Sequence, residues 1–124
     1  MLGVVITPDF KMYKKDFAEP TLEAIHDTLG GYIEHVLPKY LPNPFCLLID
    51  EEGKLKRKPI NPVASAWYGP ADRIVGTAIV MKDGIVDGER DIVGQTDEEC
   101  LKVIGLISEI SGGEYRYIEM EETK

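Results

Sequence analysis

Leu2 to Ile6 is an apolar run of the kind a buried strand shows, and Lys11 to Phe17 alternates well enough to pair with it across a turn at Pro8-Asp9. Together they predict an opening hairpin. Pro20 suits the first turn of a helix, Leu22, Ile25 and Leu29 recur on one helical face, and Gly30-Gly31 stops it. Tyr32 to Leu37 and Phe45 to Asp50 read as strands, separated by a Pro38 to Pro44 connection too rich in proline to be regular. Glu51-Glu52-Gly53-Lys54 predicts a hairpin turn with Gly53 at positive φ and a return beginning at Leu55. Asn61 or Ser65 can cap a helical turn through Trp67. Arg73 to Met81 is the strongest strand pattern and is expected at the sheet centre, followed by a turn at Asp83-Gly84 and a surface loop to Gln95. Thr96 and Glu99 have capping-box spacing, and Cys100, Val103, Ile104, Ile107 and Ile110 then form an apolar stripe that ends at Gly112-Gly113. Glu114 to Met120 is expected to add an edge strand. The elements predict an α+β fold, a mainly antiparallel sheet with two principal helices packed on it, as a single domain over residues 1–120 with a frayed tail at 121–124.

Composition narrows the class of partner. At 124 residues the chain can bury one core without metal or disulfide support. Its formal charge of −8, from 14 Lys and Arg against 22 Asp and Glu, opposes approach to phosphate backbones, so duplex DNA or RNA is not an expected partner. Cys46 and Cys100 lack any metal-ligand or redox spacing and are expected to be buried free thiols, in keeping with a cytoplasmic protein. The N-terminal apolar run is too short for a signal sequence and no later stretch reaches membrane-spanning length, so no membrane association is expected.

The stretches T-L-E-A-I-H-D-T-L-G-G-Y-I-E-H-V, L-L-I-D-E-E-G-K-L, N-P-V-A-S and I-V-G-T-A-I-V, in this order, resemble a family of small proteins of phages, plasmids and other mobile elements, a domain of unknown function. The resemblance runs from the first strand to about Ile110 and is weakest in the N-terminal hairpin and after Gly113. It implies an α+β fold and a mobile-element setting, and it transfers no catalytic residue.

Catalytic constellations are sparse. The only histidines, His26 and His35, have no partner at a catalytic spacing, and each reads more simply as a structural or exposed residue. Asp87, Glu89 and Asp91 crowd one loop, but Arg90 lies among them and no EF-hand pattern is present, so a solvated charged loop is expected rather than a metal site. No phosphate-cradling glycine motif occurs, and no cofactor is expected. Gly76-Thr77 interrupts the most apolar strand, which signals either a packing bulge or close approach of a ligand to the backbone.

What stands out is Lys54 to Gly69, which gathers Lys54, Lys56, Arg57 and Lys58 upstream of the only tryptophan. The cations can merely offset an acidic surface, and the aromatics can merely complete the core. Alternatively, Arg57 and Lys58 meet an anion, Asn61 and Ser65 supply hydrogen bonds, and Trp67 and Tyr68 stack on a base, with Arg73 and Thr77 completing the site. On this second reading the chain is a non-enzymatic, homo-oligomeric protein that binds a small anionic ligand such as a cyclic nucleotide. It would sequester a host nucleotide signal as counter-defence, in the host cytoplasm where it is phage-encoded. The alternative is an acidic interaction module that mimics nucleic acid and inhibits a host protein.

Overall fold

The computed structural model describes residues 1–119. Strands β1 (Leu2–Ile6) and β2 (Lys11–Asp16) form the expected antiparallel hairpin, with Val5 opposite Tyr13 and Ile6 opposite Met12. Helix α1 (Thr21–Leu29) follows, and Gly30 ends it in the left-handed conformation at φ 77°, its N–H donating to the His26 carbonyl. Strands β3 (Ile33–Val36) and β4 (Phe45–Asp50), helix α2 (Pro62–Tyr68), strands β5 (Ala78–Val86) and β6 (Glu89–Val93), helix α3 (Asp97–Ile110) and the two-residue β7 (Arg116–Tyr117) complete the order.

The sheet runs β3-β4-β5-β1-β2-β7, with β6 paired to the far half of β5. It is antiparallel except for β2 and β7, which are parallel. The α+β expectation therefore stands, with a third short helix and one parallel pair added to it. Register decides what each face carries. Val5, Ile79, Leu48 and His35 lie in one row across β1, β5, β4 and β3, and Val4, Val80, Leu47 and Val36 in the next. Because side chains alternate along a strand, these rows point to opposite faces. The first face packs with Phe17, Ile25 and Leu29 of the α1 side, and the second with Val63, Trp67, Val103 and Ile107 of α2 and α3. Helices on both sides explain why every residue of β4 is buried.

Several local expectations are corrected. No return strand follows β4. Residues 51–57 are consecutive turns, closed by Lys58 N–H donating to the Gly53 carbonyl, and the residue at positive φ is Arg57 (57°), not Gly53. Arg73 to Thr77 lies outside β5, which instead continues through Asp83-Gly84 to a hairpin turn at Asp87-Gly88. Both of those residues have positive φ, as the tight turn of a two-residue hairpin demands. Gly84 is used for packing, since any Cβ there would meet the Val93 side chain. The supposed surface loop is thus β6. On α1, Leu22 is exposed rather than facing the core.

At α3 the capping box forms as predicted. Thr96 accepts from Glu99 N–H, and the Glu99 carboxylate accepts from Thr96 N–H. Cys100, Val103 and Ile107 are buried, whereas Ile110 is exposed. The edge strand shrinks to Arg116–Tyr117, and its expected end at Met120, like the tail at 121–124, lies outside the described residues. No helix of the described residues is long and apolar enough to cross a membrane.

Candidate functional site

Helices α2 and α3 pack on one face of the sheet, and the last residue of α2, Tyr68, lines a hollow bordered by residues of β3 and β4. The hollow is a recess of about 220 Å³. Its floor is apolar, formed by Val36, Ile49, Ile74 and Val75, and Tyr68 stands at the end of α2. Its charged lining is Glu34, Asp50, Glu51, Lys54, Asp72 and Arg73, with the Asp50 carboxylate itself buried. Lys54 is ion-paired with Asp72, whereas Arg73 has no ion pair among the described residues.

Of the side chains singled out in the sequence, Tyr68 and Arg73 line this recess. The others do not converge on it. Trp67 is 2% exposed and packs in the core against α3 and the sheet, so its ring has no open face for stacking. Asn61 is fully buried and structural: its Nδ2 donates to the carbonyls of Ile6 (3.1 Å) and Gly76 (2.9 Å), and its Oδ1 caps α2 by accepting from Ala64 N–H. Tyr115 Oη extends this network by donating to the Thr7 carbonyl at 2.7 Å. Ser65 Oγ both donates to the Ile74 carbonyl and accepts from Ile74 N–H, fastening the recess floor to α2. Thr77 is half-buried outside the recess. Arg57 is exposed on the turn after β4.

Most of the basic cluster is held by carboxylates of the same chain. Lys56 and Lys58 both pair with Asp50, at 2.9 and 2.7 Å, and also donate to the carbonyls of Gly30 and Leu29. Burial alone would raise the Asp50 carboxyl, but hydrogen bonds from Lys58, Lys56 and the Glu52 amide outweigh it and hold the group down at about 2. The arrangement ties the end of α1 to the turns after β4. It leaves no room for a side chain at Gly31, whose Cβ would overlap the Asp50 carboxylate. It also explains Gly76, which adopts φ 82° while the Lys58 stem passes 2.8 Å from where a Cβ would sit. What approaches the backbone there is a lysine of the same chain.

The remaining reactive groups are scattered. His26 lies edge-on to Tyr32, and His35, on the α1 face, has Nε2 3.6 Å from Asp83 Oδ1. Neither lines the recess. Arg90 donates to Asp83 Oδ2, so it belongs to the β5–β6 hairpin rather than to a ligand set. Burial, reinforced by the Asp83 charge, pushes the Cys46 thiol up to about 12, and burial pushes Cys100 to about 11. Thiols so disfavoured as thiolates are poor nucleophiles. Among the described residues no group of three or more His, Cys, Asp or Glu side chains is placed to hold a metal ion.

Lys54, Asp72 and Glu34 were not singled out as site residues. No local signal joins them, because they come from the turns after β4, the segment after α2, and β3.

A family model described as a domain of unknown function, DUF3846, matches residues 1–107. The chain belongs to this family. The DUF3846 match takes in the β1–β2 hairpin, where the motif resemblance was weakest, and ends within α3. No curated protein and no solved structure matches the chain.

Proposed function

We propose that this DUF3846 domain binds a small anionic ligand in the recess beside α2 and does not turn it over. The observation that carries the reading is a concave apolar floor beneath an arginine that has no ion pair among the described residues, next to the half-buried Tyr68. Arg73 offers the planar donor fork that suits phosphate or carboxylate. Glu34 and Glu51 on the rim accept hydrogen bonds, so they favour a ligand that carries donor groups away from its anionic end, as an aminated base does. A volume of about 220 Å³ holds one base- or sugar-sized moiety, and the rest of a larger nucleotide would lie across the rim. A charge-assisted hydrogen bond contributes about 1.5–3 kcal/mol and stacking on Tyr68 about 1–3 kcal/mol, which reach sub-millimolar affinity only when both lie near the top of their ranges.

Absence of turnover is supported by the separation of His26, His35 and the thiols from the recess. In the phage or plasmid setting that the motif resemblance implies, binding without chemistry would sequester a host nucleotide signal and so act as counter-defence. A homo-oligomer is part of the proposal, because the outer edge of β3 beside the recess has no neighbouring strand among the described residues.

The second reading, an acidic module that occupies a basic host protein, is favoured by the charge of −8 and by exposed Asp87, Glu89 and Asp91 on the β5–β6 hairpin. Mass spectrometry of small molecules released by heating the purified protein, together with calorimetry against cyclic di- and trinucleotides and cyclic ADP-ribose isomers, separates the two. A released anion, or binding weakened at least tenfold by Arg73→Ala, supports the sponge. No released molecule and no heat would remove it, and salt-sensitive retention of a basic protein would favour the mimic.

A further inference from the structure

On the other side of Asp72 from the recess lies a wider, more open depression of about 440 Å³, lined by Ile60, Pro70 and Ala71. The two hollows share Lys54, Asp72, Arg73 and Val75. The Lys54–Asp72 ion pair, whose two side chains line both hollows, forms a bar between them. The Asp72 carboxylate accepts from Lys54 Nζ and from the Arg73 backbone N–H, the latter at 2.8 Å. Hydrogen bonds from Lys54 and from that amide lower its pKa, and the charges of Lys54 and Arg73 add to the effect. One anion thus lies in the field of two cations.

Neither partner of the bar is locked in place. The side chains of Lys54 and Asp72 are 57% and 48% exposed, in a medium where an ion pair is weak and exchanges readily. Asp72 sits in the segment between Gly69 and Ile74, outside any helix or strand.

We infer that Asp72 is an internal stand-in for the anionic group of the ligand, and that a phosphate ester displaces it to be held jointly by Lys54 and Arg73. The tetrahedral oxygens of a phosphate group, in a singly charged diester as in a doubly charged monoester, can engage both cations at once, whereas the Asp72 carboxylate forms its ion pair with Lys54 alone among the described residues. Displacement swings Asp72 out, joins the two hollows, and gives a ligand larger than one base a place for its second part. The inference rests on the recess being a ligand site, and it names the phosphate ester as the group recognised and Asp72 as its competitor.

Inorganic phosphate is the probe, titrated into the full chain at constant ionic strength while the backbone amide resonances of Lys54 and Ile74, present in every variant, are followed. Asp72→Asn is expected to bind phosphate about tenfold more tightly than the native chain, and Arg73→Ala in the Asp72→Asn background to abolish the gain. Glu23→Gln, which removes the same charge from the exposed side of α1, is expected to leave phosphate binding unchanged. Equal binding by the native chain and Asp72→Asn, or equal tightening by Glu23→Gln, would overturn the inference. If Asp72→Asn fails to tighten while the native chain still releases a bound small molecule on heating, the displacement idea falls and the ligand site survives. If no variant binds phosphate and nothing is released, both fall together.

Discussion

Asp50 and Asp72 are two carboxylates in similar company and opposite circumstances. Each pairs with lysine from the segment after β4, Asp50 with Lys56 and Lys58 and Asp72 with Lys54 alone, and each accepts a backbone N–H close by in sequence. The Asp50 side chain is wholly removed from solvent, and both of its lysines also donate to carbonyls at the end of α1. Asp72 is half in water, and neither Lys54 nor Arg73 is tied to anything else among the described residues. A carboxylate–lysine contact therefore acts as a staple where it is dry and doubled, and as an exchangeable contact where it is wet and single.

The sharpest way to break the comparison is to remove each carboxylate. Asp50→Ala leaves Lys56 and Lys58 without their anion and opens a void beside Gly31, and should destabilise the fold by about 3–5 kcal/mol in chemical denaturation. A loss below about 1 kcal/mol would make Asp50 no more structural than Asp72.

Acidification should separate them next. The Asp50 carboxyl is held below its ordinary 3.8, at about 2, so its contribution is fully present above about pH 4 and is lost as pH falls towards 2. The stability of the native chain should drop over that window by about 2 kcal/mol more than that of Asp50→Asn. Parallel pH profiles for the two proteins would contradict the staple.

The smallest effect is the most diagnostic for the recess. Asp72→Asn should leave the denaturation midpoint indistinguishable from that of the native chain, because an exposed ion pair contributes little. A large loss would mean that the bar between the hollows holds the fold together instead of waiting for a ligand.

How far these features can be read from sequence depends on the distance over which they act. The capping box at Thr96 and Glu99 and the opening hairpin were legible because each is complete within a few residues. The turn at Asp87-Gly88 was misplaced to Asp83-Gly84 because both pairs carry the same local signal, and only packing of Gly84 against Val93 from the returning strand tells them apart. Trp67 and Asn61 looked like ligand groups because nothing local reveals burial. Asn61 is satisfied by Ile6, fifty-five positions earlier, and Trp67 by a core assembled from both ends of the chain. The Lys54 to Lys58 run advertised free positive charge for the same reason, since Asp50 and the end of α1 meet it only after folding. Tyr68 and Arg73 were found, and Lys54, Asp72 and Glu34 were not, because a recess between separate segments leaves no spacing to detect.

Helix α2 stops after seven residues at Gly69, where φ is 102° and a Cβ would lie 2.9 Å from the Tyr40 ring. That single terminator fixes where the helix stops. Because Tyr68, the last residue of the helix, lines the hollow, a longer helix would add side chains of the protein's own beside it. Relatives that differ in helix length at this point would then differ in what they can admit, even if every residue lining the cavity were identical.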